Sequence, residues 1–219
     1  MRLNIAIDGP SAAGKSTIAK ILAKQLGYVH LDTGAMYRCV GYFALQNNID
    51  LNDEDALAAM MDTMRISFDA QGNVFINDEN VSSAIRENHV SMATSKVSAH
   101  AKVRARLVSQ QQEIAKQKGY ILDGRDIGTV VLPDAELKVY MVASVEARAK
   151  RRYDEYISKH VEADYDEIYK DIEKRDYQDM NRKTSPLRQA EDAILLDTSN
   201  LTIDEVVEAI QKLLNEKLG

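Results

Sequence analysis

With 219 residues, the chain is long enough for one α/β unit with an insertion, and its 45% hydrophobic and 28% charged residues are ordinary for a globular protein. A net charge of −6 and a pI near 5.3 argue against a general binder of nucleic acids or of membrane surfaces. A single cysteine excludes an internal disulfide, and neither a signal peptide nor a membrane-length apolar run is evident, so we expect a cytoplasmic protein.

The first predicted element is a short apolar strand over residues 3–8, which leads into a phosphate-binding loop. The loop matches the P-loop pattern G-x-x-x-x-G-K-[ST]. Gly9 and Gly14 can adopt backbone angles closed to other residues, so that successive N–H groups turn toward an anion. The predicted triphosphate-binding residues are Gly9, Pro10, Ser11, Ala12, Ala13, Gly14, Lys15, Ser16 and Thr17.

The flanks of this loop fit the same interpretation. Apolar spacing predicts a helix over 16–26, ended by Gly27. Lys15 would reach the β- and γ-phosphates, and the Ser16 hydroxyl suits a Mg²⁺ ligand. Strand, loop and helix therefore predict a site for a nucleoside triphosphate.

The next segments continue the alternation of strand and helix. A strand over 28–31 ends at Asp32, and a helix follows to about residue 47. Cys39 lies on the apolar side of that helix, which predicts a buried structural thiol. Asn52 or Asp53 can cap a further helix. The apolar stripe of that helix is Leu57, Met60, Met61 and Met64.

The pattern then changes to short alternating stretches. Residues 65–69 and 73–76 alternate around a turn at 70–73, which predicts a hairpin, and 78–80 reads as a further turn. We expect a small antiparallel sheet inserted into an otherwise α/β chain.

The βα rhythm resumes in the second half. A broken helical pattern runs from about 83 to 118, and Gly119 ends it. Apolar strands are predicted at 120–122, 137–142 and 194–197, and helices at 145–159 (capped by Ser144), 164–183 and 203–218. Such alternation implies a parallel sheet covered on both faces, with ligands at the carboxyl ends of the strands. The segments 9–16, 32–34 and 123–126 should therefore converge.

A P-loop alone leaves ATPases, GTPases and kinases open. The N-K-x-D base reader of GTPases is missing, and the D-x-x-G at 69–72 falls in the hairpin. Two helical faces carry arginines at helical spacing: Arg148, Arg151 and Arg152 on one, and Arg175 and Arg182 with Asp179 on the other. Salt bridges on solvated helices explain this pattern as well as phosphate binding does, although phosphoryl transfer between two anions needs such cations. The scattered histidines have no ligand spacing, and we assign no metal to them: His30, His89, His100 and His160.

Four blocks together resemble the bacterial cytidylate kinase family. They are the P-loop at 9–17, D-T-G-A-M-Y-R at 32–38, D-G-R-D-I-G-T-V-V at 123–131 and R-D-x-x-D-x-N-R at 175–182. The resemblance covers nearly the whole chain, including the hairpin insertion. It implies an α/β P-loop nucleoside monophosphate kinase fold, with a five-stranded parallel sheet, a small antiparallel insertion and a helical lid. The implied domains are a P-loop core (1–35, 101–145 and 190–219), a monophosphate-binding arm (36–100) and a lid (146–189).

The resemblance also implies roles for individual residues. Those implied to bind CMP are Arg38, Arg125 and Arg182 at the phosphate, Asp179 and Arg175 at the ribose, Ser95, Arg104 and Asp126 at the cytosine ring, and Thr33 and Tyr37 nearby. Those implied to act in catalysis are Lys15, Arg125, Arg148, Arg152 and Arg182. The cytosine assignment has its own chemical reason, because the N4 amino group suits a carboxylate acceptor and N3 and O2 suit donors.

The expected activity is therefore phosphoryl transfer from ATP, with Mg²⁺, to CMP and also dCMP. We expect a monomer that binds small nucleotides and neither nucleic acid nor membrane. The alternatives are a P-loop kinase for another small acceptor, such as shikimate or a different nucleotide, and a nucleotide-binding switch or ATPase.

Overall fold

A computed structural model of the chain describes residues 2–69 and 71–218, without the side chain of Asn88. The strands are β1 (Ile5–Asp8), β2 (Val29–Asp32), β3 (Ile66–Phe68), β4 (Val74–Ile76), β5 (Glu79–Asn80), β6 (Tyr120–Gly124), β7 (Leu137–Val142) and β8 (Ile194–Asp197). The α-helices are α1 (Lys15–Leu26), α2 (Thr33–Gln46), α3 (Glu54–Met61), α4 (Asn88–Val97), α5 (Ala101–Ala115), α6 (Val145–Ser158), α7 (Tyr165–Asn181) and α8 (Ile203–Leu218). A 3₁₀ turn, Ala84–Arg86, precedes α4, and a π-helical turn, Ile127–Val131, follows β6.

These elements form two compact units. The first consists of Met1–Leu31 with Gln117–Gly219, and the second of Asp32–Lys116. The core, arm and lid expected from the sequence are parts defined by function, whereas these units are defined by their contacts. The expected boundaries therefore stay a prediction. In the described part of the chain, no helix is both long and apolar enough to cross a bilayer.

The first unit is built on a five-stranded sheet with the order β2-β6-β1-β7-β8, as the fold class predicted. The pairs β1–β6, β1–β7 and β7–β8 are parallel. In the first pair Asp8 lies opposite Gly124, so β1 and β6 end side by side. The segments that follow them, the P-loop and the turn beginning at Arg125, therefore start at the same edge of the sheet.

The core of this unit lies between the sheet and the helices α1 and α8. Ile18 and Leu22 of α1 are buried, and Gly27 ends the helix with a left-handed φ of 65°, as predicted. The remaining strand and helix residues of this core include Ile5, Ile7, Ile121, Leu137, Val139, Met141, Val206, Val207, Ile210 and Leu214.

Helices α6 and α7 form a hairpin with a small core of its own. Ser144 and Asp164 cap the two helices by accepting backbone N–H groups of Ala147 and Glu167. The helix predicted over 164–183 is too long, because α7 ends at Asn181 and the backbone of Arg182 is extended. The Arg182 side chain donates from Nε to the carbonyl oxygen of Ser185, three residues further along the chain, at 2.6 Å.

The second unit contains the predicted hairpin insertion. Strands β3, β4 and β5 form an antiparallel sheet, with Ile66 opposite Ile76 and Phe75 opposite Asn80. The turn predicted over 78–80 is wrong by one or two residues. Asn77 and Asp78 take the left-handed φ values of 48° and 72°, so they make the turn and β5 begins directly after them. The other predicted turn includes Ala70, which lies outside the described residues.

The helices of this unit follow the sequence prediction, except that α3 ends at Met61 and Met64 of its predicted stripe is buried just beyond it. Asp53, one of the two predicted caps, accepts the N–H of Ala56 at the start of α3. Cys39 is fully buried in α2, and burial raises the pKa of its thiol to about 12. The expected structural role of this cysteine agrees with both observations.

Candidate functional site

The P-loop has the backbone that an anion-binding loop requires. Gly9 has a φ of 150°, and a Cβ at this position would lie 2.0 Å from the carbonyl oxygen of Met141. Gly14 begins α1 with a left-handed φ of 89° and provides no side-chain cap for the helix. Both glycines are therefore required by geometry, and the first N–H groups of α1 can face an anion.

Lys15 is held inside the loop that it follows. Its side chain is 6% exposed, and Nζ donates to the carbonyl oxygen of Pro10 at 2.7 Å. Burial, together with the nearby charge of Arg125, lowers the pKa of Lys15 to about 7. An anion in the loop would therefore meet a cation that has already lost much of its hydration.

Ser16 takes part in a chain of hydrogen bonds that ends at a histidine. Its Oγ donates to Oδ2 of Asp123 at 2.6 Å, and Nε2 of His30 lies 2.6 Å from Oδ1 of the same carboxylate. Burial acts to raise the pKa of Asp123, but the hydrogen bonds from His30 and Ser16 outweigh it and hold that pKa below its ordinary value. The carboxylate is therefore ionised near neutral pH.

The Ser16 hydroxyl fits a magnesium ligand. Its one proton is directed at Asp123, so its lone pairs point elsewhere and can face a hard cation. Within the described ranges, no group of three or more His, Cys, Asp or Glu side chains could hold a metal ion by itself. A cation here would depend on this hydroxyl and on oxygens of the nucleotide.

Four predicted site residues of the first unit meet beside the P-loop. Nε of Arg125 donates to Oδ2 of Asp179 at 2.7 Å. Arg182 lies 3.6 Å from Asp126 and 4.0 Å from Asp179, measured between guanidinium nitrogen and carboxylate oxygen. Burial acts to raise the pKa of Asp179, but Arg125 and the other arginines outweigh it and lower the pKa. Arg175, one helical turn before Asp179, contributes to the same shift.

Asp8, a residue that the sequence analysis did not single out, fixes the turn that follows β6. Its carboxylate accepts the backbone N–H of Ile127 at 2.8 Å and that of Gly128 at 2.7 Å. Because these donors directly follow Asp126, the last residue of β1 sets the position of that predicted site residue. Burial raises the pKa of Asp8 from 3.8 to about 6, despite both hydrogen bonds.

This raised pKa gives a measurable pH dependence. Between about pH 4 and pH 6 the folded chain holds a proton on Asp8 that the unfolded chain has lost, so stability falls as the pH rises. Relative to Asp8→Asn, we expect the free energy of unfolding of the wild type to fall by on the order of 3 kcal/mol between pH 4 and pH 7. Urea unfolding at several pH values measures it, and parallel curves for the two proteins would contradict it.

The arginines of α6 are held by different partners. Arg148 is 3% exposed and donates to the carbonyl oxygens of Ala143 at 2.9 Å and Ser11 at 3.1 Å, and its Nη2 lies 2.6 Å from Oδ2 of Asp176. Arg151 donates to the carbonyl oxygen of Thr198, and Arg152 is half-buried. The ion pair with Asp176 is a salt bridge of the kind left open above, but it is buried rather than solvated. The catalytic roles of Arg148 and Arg152 stay predictions.

The second unit holds the other predicted site residues. Arg38 donates to the carbonyl oxygen of Ile85 at 3.1 Å and to Oγ of Ser91 at 2.7 Å. The guanidinium carbon of Arg104 lies 5.2 Å from the centroid of the Tyr37 ring, a cation–π distance. Arg104 also donates to the carbonyl oxygen of Ser98 at 3.2 Å. Thr33 is buried at the start of α2, and Ser95 is exposed on α4.

Three contacts of the site were missed by sequence reasoning. Asp8 has a local signal, because a carboxylate ends an apolar strand directly before the P-loop. Asp176 was only one of several acidic candidates on the two charged helices. His30 has no local signal, since its partner is 93 positions away on a neighbouring strand.

The sequence is similar to one family over nearly its whole length. Residues 5–216 match a family model described as cytidylate kinase. A protein of that name from Enterococcus faecalis (strain ATCC 700802 / V583) is 52% identical over 219 residues, covering 99% of this chain and 97% of the relative. Another of that name, from Streptococcus pneumoniae (strain 70585), is 53% identical over 213 residues, covering 95% of this chain and 96% of the relative.

Solved structures with much lower identity share the fold. An uncharacterized protein from Eubacterium ventriosum ATCC 27560 has a TM-score of 0.54 at 12% identity, with 99% of each chain covered. A gluconokinase from Sinorhizobium meliloti 1021 has a TM-score of 0.52 at 14% identity, covering 99% of this chain and 95% of that one. Together with the sheet described above, these likenesses confirm the predicted P-loop kinase fold.

Proposed function

The chain belongs to the cytidylate kinase family, and we propose on that premise that it transfers the γ-phosphoryl group of ATP to CMP, and also to dCMP, giving ADP and CDP or dCDP. The observation that carries the proposal is the shared end of β1 and β6. It brings the start of the P-loop beside the turn that begins at Arg125, within one compact unit, which supports a triphosphate site next to a second anion site. Transfer between two anions needs this juxtaposition of positive charge.

The donor side of the reaction uses the P-loop. Backbone N–H groups and Lys15 would hold the phosphates of ATP, and Lys15 would compensate the charge that develops on the γ-phosphoryl oxygens. Magnesium, held by Ser16 and by phosphate oxygens, would supply further charge neutralisation when bound. The hydroxyl orientation described above supports this assignment.

The acceptor side is assigned residue by residue from the family resemblance. The proposed phosphate contacts are Arg38, Arg125 and Arg182, the ribose contacts are Asp179 and Arg175, and the cytosine contacts are Ser95, Arg104 and Asp126, with Thr33 and Tyr37 close to the substrate. Two contacts within the units support it. The Asp179 carboxylate accepts from Arg125, and the Arg104 guanidinium lies over the Tyr37 ring.

No covalent intermediate is needed in this reaction. Catalysis would consist of holding the two reacting groups in line and of neutralising charge with Lys15 and with Arg125, Arg148, Arg152 and Arg182. A charged helical segment that closes over the phosphates would also exclude water, which competes as an acceptor.

A panel of acceptors tests the proposal directly. With ATP and Mg²⁺ present, ADP formation is followed for CMP, dCMP, UMP, AMP and shikimate. We expect kcat/KM for CMP to exceed that for UMP and AMP at least about tenfold, because a site that hydrogen-bonds one base edge rejects others. Phosphorylation of shikimate but not CMP would establish the rival kinase. ATP hydrolysis without any acceptor would establish the ATPase or switch.

We further propose that this kinase works as a monomer in the cytoplasm and does not bind nucleic acid. A net charge of −6 opposes attraction to a polyanion, and the one cysteine is buried and unavailable for a disulfide between chains.

A further inference from the structure

One polar chain in the first unit ends at a histidine that has no part in the function derived so far. It runs from Ser16 through Asp123 to His30, with both hydrogen-bond distances at 2.6 Å. The side chains of His30 and Asp123 are 10% and 6% exposed. A polar side chain this well shielded is held in place by its partners, because bulk water offers few alternatives.

The direction of each hydrogen bond follows from the chemistry of the groups. An ionised carboxylate can only accept, so Ser16 and His30 both donate to Asp123. The imidazole must therefore carry its proton on Nε2. Asp123 stands between the other two, so His30 does not contact Ser16 and cannot act as a base that activates the hydroxyl as a nucleophile.

The consequence for Ser16 is a fixed orientation. The hydroxyl can turn about its Cβ–Oγ bond, and both of its lone pairs are left for a cation while its proton points at Asp123. The Asp123 carboxylate could itself rotate away from Ser16, but His30 holds the other oxygen. The histidine thus acts on the hydroxyl through the carboxylate, in the way that outer partners orient ligands at metal sites.

We propose that His30 is a positioning residue that, through Asp123, directs the Ser16 hydroxyl toward the cation that accompanies ATP. The inference rests on the proposed kinase function. It assigns the effect of His30 to the magnesium-dependent part of ATP binding, and not to binding of the nucleotide itself.

The test uses three variants at this position. His30→Phe keeps a ring of similar size without the donor, and His30→Gln restores an N–H near the position of Nε2. His30→Asn is polar but too short to reach Asp123. His89→Gln is the matched control, because His89 is exposed on α4 in the other unit. Thermal unfolding of each variant is measured first, so that a loss of fold is recognised.

Calorimetry then gives the dissociation constant of ATP with Mg²⁺ and with EDTA. The ratio of the constant in EDTA to the constant with Mg²⁺ is the enhancement of ATP binding by Mg²⁺. We expect His30→Phe to reduce this enhancement about tenfold and to leave ATP binding in EDTA within about threefold of wild type. His30→Gln should recover the enhancement to within about threefold, and His89→Gln should match wild type. If His30→Phe does not fold, His30→Asn against His30→Gln makes the same comparison. An unchanged enhancement, or equal losses with Mg²⁺ and EDTA, would overturn the proposal.

A double-mutant cycle with Ser16→Ala identifies the route of the effect. If His30 acts through the hydroxyl, His30→Phe should change the enhancement by less than about twofold once that hydroxyl is gone. Independent effects of the two substitutions would show that His30 acts elsewhere. Wild-type protein in the CMP assay separates the two proposals, because failure there refutes the kinase function, whereas the calorimetry needs no acceptor.

Discussion

Replacing Lys15 with alanine is expected to lower kcat for CMP phosphorylation about a thousandfold or more, with the fold intact. The side chain is the proposed partner of the phosphoryl oxygens, where charge develops in the transition state. Its burial also disfavours the charged form, as the pKa of about 7 shows. The alanine variant therefore no longer spends free energy on burying a charged group, so the fold should persist. It does lose the contact with the phosphoryl oxygens that catalysis needs.

The measurement combines coupled ADP detection with thermal unfolding. Lys20→Ala is the matched control, because Lys20 is an exposed lysine of the same helix. We expect that variant to keep wild-type kcat and unfolding temperature. A loss of less than about tenfold for Lys15→Ala would contradict the assigned role, and so would a thousandfold loss that merely follows from unfolding.

Asp179→Ala is expected to weaken the binding of CMP far more than the binding of ATP. The carboxylate is the proposed ribose contact and also holds Arg125, whose Nε lies 2.7 Å from it. A charge-assisted hydrogen bond contributes about 1.5–3 kcal/mol, so we expect KM for CMP to rise roughly 10- to 100-fold. KM for ATP should change by less than about threefold.

The comparison of CMP with dCMP sharpens this test. If Asp179 contacts the 2′-hydroxyl, its loss should bring the kcat/KM values of the two acceptors closer together. Asp171→Ala, an exposed carboxylate on the same helix, should resemble wild type in every constant. Equal losses for CMP and ATP would refute the ribose assignment.

Elements whose own side chains form the packing surface were predicted well. The last helix was expected over 203–218 and is found there, because Val206, Val207, Ile210 and Leu214 recur at helical spacing and are buried. The P-loop was predicted equally well, because the spacing of its glycines and lysine specifies both its backbone and its chemistry.

Contacts that depend on the order of the strands, or on a choice among similar side chains, could not be predicted from the sequence. His30 meets Asp123 only because β2 lies beside β6 in the sheet, and no local pattern encodes that neighbourhood. Helical spacing could not choose Asp176 from the acidic residues around Arg148. The end of α7 was overestimated because Arg182 keeps the helical spacing of Arg175 and Asp179 in the sequence, although its backbone is extended.

The partners of Arg148 make two parts of the first unit mechanically interdependent. One guanidinium joins the carbonyl oxygen of Ser11, inside the phosphate loop, to Asp176 in the middle of α7. Any anion that draws this guanidinium away removes the counter-charge of a buried carboxylate, which is costly. We therefore expect a nucleotide that displaces the Arg148 guanidinium to change the positions of both the phosphate loop and the α6–α7 hairpin.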